Sequence, residues 1–280
     1  MKIFKLQQGI AVESESIGQF YFFDQPNWDD FINRDDLYDW LKSQIASMSP
    51  LDAAWFAAQN IVAPIQNQEI WAAGVTYLRS KVARMEESKE SGGDTFYDKV
   101  YDAERPEIFF KGTANRAVGT GGFVNIRKDS TWDVPEPELT LYITSANKIV
   151  GYTVGNDMSS RSIEGENPLY LPQAKVYDKC AGLGPCLYVP EKPIDADAKI
   201  RLEIHRADEL VFEGETLISQ MKRSHTELVE YLTRECTFPQ GVFLMTGTCI
   251  VPDYPFTLQA GDVILISIDN IGTLKNTVSM

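Results

Sequence analysis

Trp132-Asp-Val-Pro-Glu-Pro-Glu-Leu-Thr-Leu-Tyr-Ile143 reads as a strand that opens on two prolines and carries Glu136 and Glu138 on alternate positions. Alternate side chains of an extended chain share a face, so the two carboxylates stand on one side, roughly 6.5–7 Å apart at the backbone. Pro135 and Pro137 remove two backbone donors, which confines the stretch to a strand start or a sheet edge. Asp157 follows in Gly155-Asn-Asp-Met-Ser-Ser160 and offers a third carboxylate. A Glu-x-Glu alone on a strand of an acidic protein is a solvated face. With the prolines and Asp157 beside it, the pattern points to a divalent-metal site. Three carboxylates make a hard, all-oxygen face suited to Mg²⁺, Mn²⁺ or Ca²⁺, with positions left open for substrate oxygens.

Working outward, short strands dominate the chain after residue 107: Ile108–Phe110, Phe123–Ile126, Leu139–Ile143, Ile149–Val154, Leu187–Val189, Ile200–His205, Leu210–Glu213, Val242–Thr246, Asp262–Ile268 and Thr273–Val278. Before it, alternating segments over Lys2–Leu6, Ile10–Val12 and Gln19–Phe23 predict small strands, and helical stripes cover Leu37–Ala46 and Leu51–Gln59. Glu69–Val75 returns to strand character. A charged helix is predicted over Leu78–Glu90 and another over Ser224–Glu235. Many short strands with few helices predict an α+β, mainly β chain, a barrel or sandwich rather than a doubly wound sheet. Pro64 divides it into a small N-terminal α+β domain, residues 1–65, and a larger one, residues 66–280.

The bulk composition narrows the partners. A net charge of −14 over 280 residues argues against nucleic acid and anionic membrane surfaces as partners, because it repels phosphates. Neither a signal-type apolar run at the N-terminus nor a stretch approaching the ~20 apolar residues that span a bilayer is present, so the expected location is cytoplasmic. Four cysteines without a C-x-x-C pair and two histidines argue against zinc and for buried free thiols. Ala117-Val-Gly-Thr-Gly-Gly-Phe123 lacks the Gly-Lys-Ser/Thr ending of a phosphate loop and reads as a turn. His205 and His225 fall in a strand and at a helix start and read as structural.

Trp71-Ala-Ala-Gly-Val-Thr-Tyr77, Ile108-Phe-Phe-Lys111, the Pro-Glu-Pro-Glu strand, Gly151-Tyr-Thr-Val-Gly-Asn-Asp157, Thr246-Gly-Thr248 and Ala260-Gly-Asp-Val-Ile264 occur in this order. Together they resemble the fumarylacetoacetate hydrolase family from about residue 69 to the end. Ala83-Arg-Met-Glu-Glu-Ser88, Tyr101-Asp-Ala-Glu-Arg-Pro106 and Ile163–Lys175 look most like its 2-keto-3-deoxy-sugar-acid dehydratases, of the 2-keto-3-deoxy-arabinonate type. The resemblance implies a distorted β-roll core with a Mg²⁺ site and a dimer or tetramer. It makes Glu136, Glu138 and Asp157 the metal ligands and Lys175 the active-site lysine, and it sets Thr248 against the substrate carboxylate.

One departure bears on the reaction. The family's carbon–carbon bond hydrolases present a histidine on the helix that follows the Gly-Val strand, where it activates water. Residues 78–91 contain none, which favours elimination, in which no water attacks. The expected reaction is loss of water from a 2-keto-3-deoxy sugar acid, a pentonate giving 2,5-dioxopentanoate, through a metal-stabilised enolate. Lys175 is either the base that takes the C3 proton or a fixed positive charge. Glu86 and Glu87 are candidates to protonate the departing hydroxyl. Among Arg79, Arg84 and Arg161, Arg79 is the favoured ligand for substrate oxygens. The competing readings are an acylpyruvate hydrolase, an oxaloacetate decarboxylase or tautomerase, and a catalytically silent metal-binding subunit.

Overall fold

Pro137 is the first residue of its strand, the position at which a missing backbone N–H costs least. The strand is not at an edge. In the computed structural model, which describes residues 1–79 and 99–280, it runs between two neighbours and is buried along its whole length. The expectation of a strand start therefore holds and that of an edge fails: with only the first position occupied by proline, the remaining residues pair on both sides. Most of the helix expected over Leu78–Glu90, including Glu86 and Glu87, lies outside the described residues.

Among the described residues the first strands are Lys2–Lys5 (β1), Ile10–Glu13 (β2), Phe20–Phe23 (β3), Glu69–Gly74 (β4) and Glu107–Thr113 (β5). Ala117–Val118 (β6), Phe123–Asn125 (β7), Asp133–Val134 (β8), Pro137–Ile143 (β9), Ile149–Asp157 (β10) and Ser159–Ser160 (β11) follow. The last are Ala181–Tyr188 (β12), Lys199–Arg206 (β13), Glu209–Leu217 (β14), Val242–Met245 (β15), Val263–Ile268 (β16) and Gly272–Ser279 (β17). The α-helices that lie wholly within the described residues are Trp28–Ile32 (α1), Leu37–Ile45 (α2), Ala53–Ala57 (α3), Arg161–Glu166 (α4), Leu171–Lys175 (α5) and His225–Thr233 (α6).

The large sheet has the order β3-β2-β1-β12-β10-β9-β15-β4-β5, with β6 beside β12. A second sheet, β14-β13-β16-β17-β7, packs against β9, β10 and β12. Between the sheets lies one apolar cluster, built from Leu139, Leu141 and Ile143 on β9 and from Ile200, Leu202, Ile204, Ile264, Ile266 and Leu274 opposite. The other face of the large sheet, including Ile70, Tyr142, Leu183 and Phe243, is covered by Trp28, Phe31 and Ile32 of α1 and by Leu37 and Leu41 of α2. Burial on both faces is why β9 reads Leu-Thr-Leu-Tyr-Ile with little polar alternation. The architecture is α+β and mainly β.

Several elements escape sequence reading. α1 spans only five residues, too short to show a helical period. α5 carries Pro172 in its first turn, where proline is compatible with a helix, so a segment that looks like a proline-bearing loop is a helix ending on Lys175. Cys180, Cys186 and Cys249 are buried free thiols, whereas Cys236 is exposed. No helix among the described residues is long and apolar enough to cross a membrane.

The N-terminal strands are part of the large sheet. β1 runs antiparallel to β12, with Lys2 opposite Tyr188 and Ile3 opposite Leu187. Removal of residues 1–65 uncovers that edge together with the apolar face under α1 and α2. The truncated chain is expected to lose the cooperative thermal transition of the full chain and to aggregate, as followed by circular dichroism and light scattering.

Candidate active site

The register of β9 against β10 assembles the three carboxylates. Gly155 lies opposite Glu138 and Asn156 opposite Pro137, and one step further the Asp157 N–H donates to the Glu136 carbonyl at 2.9 Å. Residues directly opposite one another point to the same face of a sheet, so Asp157 joins Glu136 and Glu138. Their ligand oxygens lie within 4.8 Å of one another, and all three side chains are buried.

Two further strand ends close the site. β4 runs parallel to β15, so the segments that follow them, Gly74–Val75 and Thr246–Thr248, arrive at the same end of the sheet. Gly247, with φ +98°, donates its N–H to Glu138 Oε2 at 2.6 Å. A Cβ there would fall 2.0 Å from Thr76 Oγ1 and 3.0 Å from the Ala73 carbonyl, so only glycine fits. Val75 takes a positive φ of 53°, an uncommon state for a β-branched residue and one that gathers at functional sites.

The charges around the triad are almost entirely internal. Lys175, fully buried, donates to Glu136 Oε2 at 2.6 Å and to Asp157 Oδ2 at 3.0 Å. Arg161 donates from Nη2 to Glu136 Oε1 at 2.5 Å. Lys111, also fully buried, places its Nζ 2.5 Å from Asp157 Oδ1, an ion pair rather than an aligned hydrogen bond. Glu138 has no cation within ion-pair distance among the described residues. Burial, reinforced by the charges of Asp157 and Glu136, holds its carboxyl well above the usual carboxylate range, against the opposing pull of Lys175 and the Gly247 N–H. A buried carboxylate face with one member uncompensated fits a hard divalent cation, whose charge relieves the strain.

Glu136, Glu138, Asp157, Lys175 and Thr248 line one cleft with Ala73, Gly74, Val75, Phe109, Arg161 and Gly247. Arg79 does not: its side chain is 60% exposed and lies 3.7 Å from Asp253. Arg161, passed over in favour of Arg79, is the guanidinium at the cleft wall. His205 sits beside Glu203 on β13, and His225 is half-buried at the start of α6. Neither histidine lines the cleft. Lys111 and Gly247 belong to two of the motifs that carry the family resemblance, Ile108-Phe-Phe-Lys111 and Thr246-Gly-Thr248, but are given no place in the site there. Lys111 follows three apolar residues in a strand pattern and carried no mark of burial. Glu107, opposite Gly74 on β5, comes close enough to the wall that a Cβ on Gly74 would meet its Oε2 at 1.9 Å.

The family model for the C-terminal domain of fumarylacetoacetate (FAA) hydrolase matches residues 69–279. A Haloferax volcanii protein named "Probable 2-keto-3-deoxyxylonate dehydratase" is 52% identical over 80% of this chain and 76% of its own. The 2-dehydro-3-deoxy-D-arabinonate dehydratase of Saccharolobus solfataricus is 44% identical over 78% of this chain and 74% of its own. A solved structure of 2-keto-3-deoxy-D-arabinonate dehydratase complexed with magnesium and 2,5-dioxopentanoate superposes with a TM-score of 0.84 at 33% identity, covering 100% of this chain and 99% of that one.

The raised Glu138 carboxyl has a signed consequence. Without metal, ionised Glu138 is penalised in the folded state; below the ordinary value of 4.5 it is protonated in both states and the penalty vanishes. In chelator, Glu138→Gln is therefore expected to melt above the parent protein at high pH, with the gap closing as pH falls toward 4.5. The same variant is expected to bind Mn²⁺ at least ~100-fold more weakly in a paramagnetic resonance titration.

Proposed function

The chain belongs to the fumarylacetoacetate hydrolase family, and we propose that it is a divalent-metal-dependent hydro-lyase that converts a 2-keto-3-deoxy pentonate to 2,5-dioxopentanoate. The observation that carries this reading is the buried Glu136–Glu138–Asp157 face with the Lys175 ammonium against it, in a chain 52% identical to a protein named for such a reaction. Glu136, Glu138 and Asp157 would hold Mg²⁺, with Mn²⁺ or Ca²⁺ as alternatives. When bound, the ion supplies a Lewis acid that favours negative charge on the substrate's keto oxygen.

The bond changes set the work of the side chains. The C3–H and C4–OH bonds break, water leaves, and a C3=C4 double bond forms. Shifting one proton from C5 to C3 then gives the enol of the C5 aldehyde, which ketonises to 2,5-dioxopentanoate. A proton carrier near C3 is thus used twice, once to take a proton and once to return it. Lys175 is the proton carrier that lines the carboxylate face, and we assign it that part. Its alternative is to remain charged and stabilise the developing oxyanion. Thr248 and Arg161, both on the cleft wall, are assigned to the substrate carboxylate and hydroxyls. Glu86 and Glu87 keep their place as candidates for protonating the departing hydroxyl, and Arg79, exposed beside Asp253, as a candidate ligand for substrate oxygens. Ala73, Val75 and Phe109 shield the site from water.

The hydrolase alternative lacks its histidine, since residues 78–91 contain none. A cytoplasmic enzyme working as a homodimer or homotetramer belongs to the same proposal and rests on the family resemblance. The division into residues 1–65 and residues 66–280 enters on the same footing, supported by the family match beginning at residue 69.

Mass spectrometry of a 2-keto-3-deoxy-pentonate incubated with the protein is expected to show metal-dependent loss of one water, abolished by chelator. Faster turnover of acetylpyruvate or oxaloacetate in the same panel would overturn the assignment. Lys175→Ala is expected to lower turnover by ~10²–10⁴-fold, and full activity in that variant would remove Lys175 from the proton-transfer role.

A further inference from the structure

Lys111 is the third cation of the site and touches two of its working parts at once. Besides the ion pair with Asp157 Oδ1 at 2.5 Å, its ammonium donates to the Met158 carbonyl at 2.9 Å and to the Lys175 carbonyl at 2.5 Å. The two carbonyls take two of the three protons of the ammonium, and the Asp157 carboxylate faces it as an ion pair. The Tyr177 ring lies 5.7 Å away on another side, and the whole side chain is shielded from solvent. The end of β10 and the end of α5 are thereby tied together by one nitrogen. The first of these segments carries a carboxylate of the metal face and the second carries Lys175.

The charges have a second consequence. Lys111, Arg161 and Lys175 pair with Glu136 and Asp157, and Arg161 Nε also stands 4.0 Å from the buried Glu164. An incoming divalent cation therefore meets two carboxylates that already hold resident cations, and each of those cations opposes it. Lys175 and Arg161 face the cleft and can answer to a substrate. Lys111 does not line it, and its contacts all point inward.

We propose that Lys111 is a positioning residue, a resident cation that holds Asp157 and the Lys175 backbone in place before metal arrives and weakens metal binding as a result. The inference rests on the metal-dependent reading above, but it differs from it in what it requires. Removing a structural side chain loosens a metal site. Removing this one should tighten it while slowing the reaction.

The test is Lys111→Met, prepared with Mg²⁺ and then stripped of it. Mn²⁺ affinity, read by paramagnetic resonance, is expected to rise ~10-fold as one opposing charge is lost, and kcat at saturating Mg²⁺ to fall ~10–100-fold as Lys175 loses its tether. KM should change far less than kcat. Mn²⁺ binding no tighter than that of the parent, or parental kcat at saturation, overturns the proposal. Should Lys111→Met fail to fold, Lys111→Arg carries the test: it keeps the charge but not the geometry of the two carbonyl bonds, so affinity should stay within ~3-fold while kcat still falls. Parental kcat in Lys111→Arg overturns the positioning role. The Mn²⁺ measurement needs no substrate, so failure of the parent protein to turn over any 2-keto-3-deoxy pentonate would sink the functional reading and leave this one standing on its affinity arm.

Discussion

The pairing of β9 with β10 is the constraint on which the site depends. A strand alternates faces with every residue, so slipping this register by one would carry Asp157 to the opposite side of the sheet from Glu136 and Glu138. The Asp157 N–H to Glu136 carbonyl bond continues the ladder just past the proline that opens β9. Apolar burial on both faces holds the alignment: Leu139, Leu141 and Ile143 pack into the core between the sheets, and Tyr142 packs under the N-terminal helices. The rest of the fold secures these two strands. β15 and β4 continue the sheet from β9, β12 continues it from β10, and the second sheet closes over them.

Gathering three carboxylates away from water is electrostatically expensive, since like charges ~4 Å apart repel by about 4 kcal/mol at the effective dielectric of protein sites. The chain answers with three buried cations drawn from separate segments: Lys111 from β5, Arg161 from the start of α4 and Lys175 from the end of α5. Among the described residues Glu138 is left with only a backbone N–H and a raised carboxyl. The same imbalance that destabilises it prepares the face for a divalent ion, an instance of local strain retained at a working site. Val75 shows the same tension in the backbone, for it takes a positive φ at the cleft wall, whereas Gly247 adopts its positive φ without strain.

Much of this was legible beforehand. The Glu-x-Glu spacing after prolines, Asp157 at the end of the next strand pattern, and the count of short strands lead to a mainly β chain with an all-oxygen metal face. Most strands expected from alternation appear with their ends moved by a residue or two. Legibility failed where the sequence signal is short or ambiguous. α1 is only five residues long, and proline in the first turn disguised α5. The cations were the harder part: Arg79 and Arg161 are the same residue type in comparable polar surroundings, and nothing local separates an exposed partner of Asp253 from a buried partner of Glu136.

By itself, the sequence determined the residue types, their spacing along each strand, and hence which carboxylates could share a face, because backbone periodicity converts spacing into direction. It also placed the chain within a family through motifs carried in order. Only the tertiary structure decided which cations enter the site. Lys111 lies on a strand well before Arg161 and Lys175, which sit on two consecutive helices, and the three meet only because β5, α4 and α5 converge on the ends of β9 and β10. Ion pairing in a buried cluster is a matter of distance and solvent exclusion, and neither quantity exists until the sheets have closed.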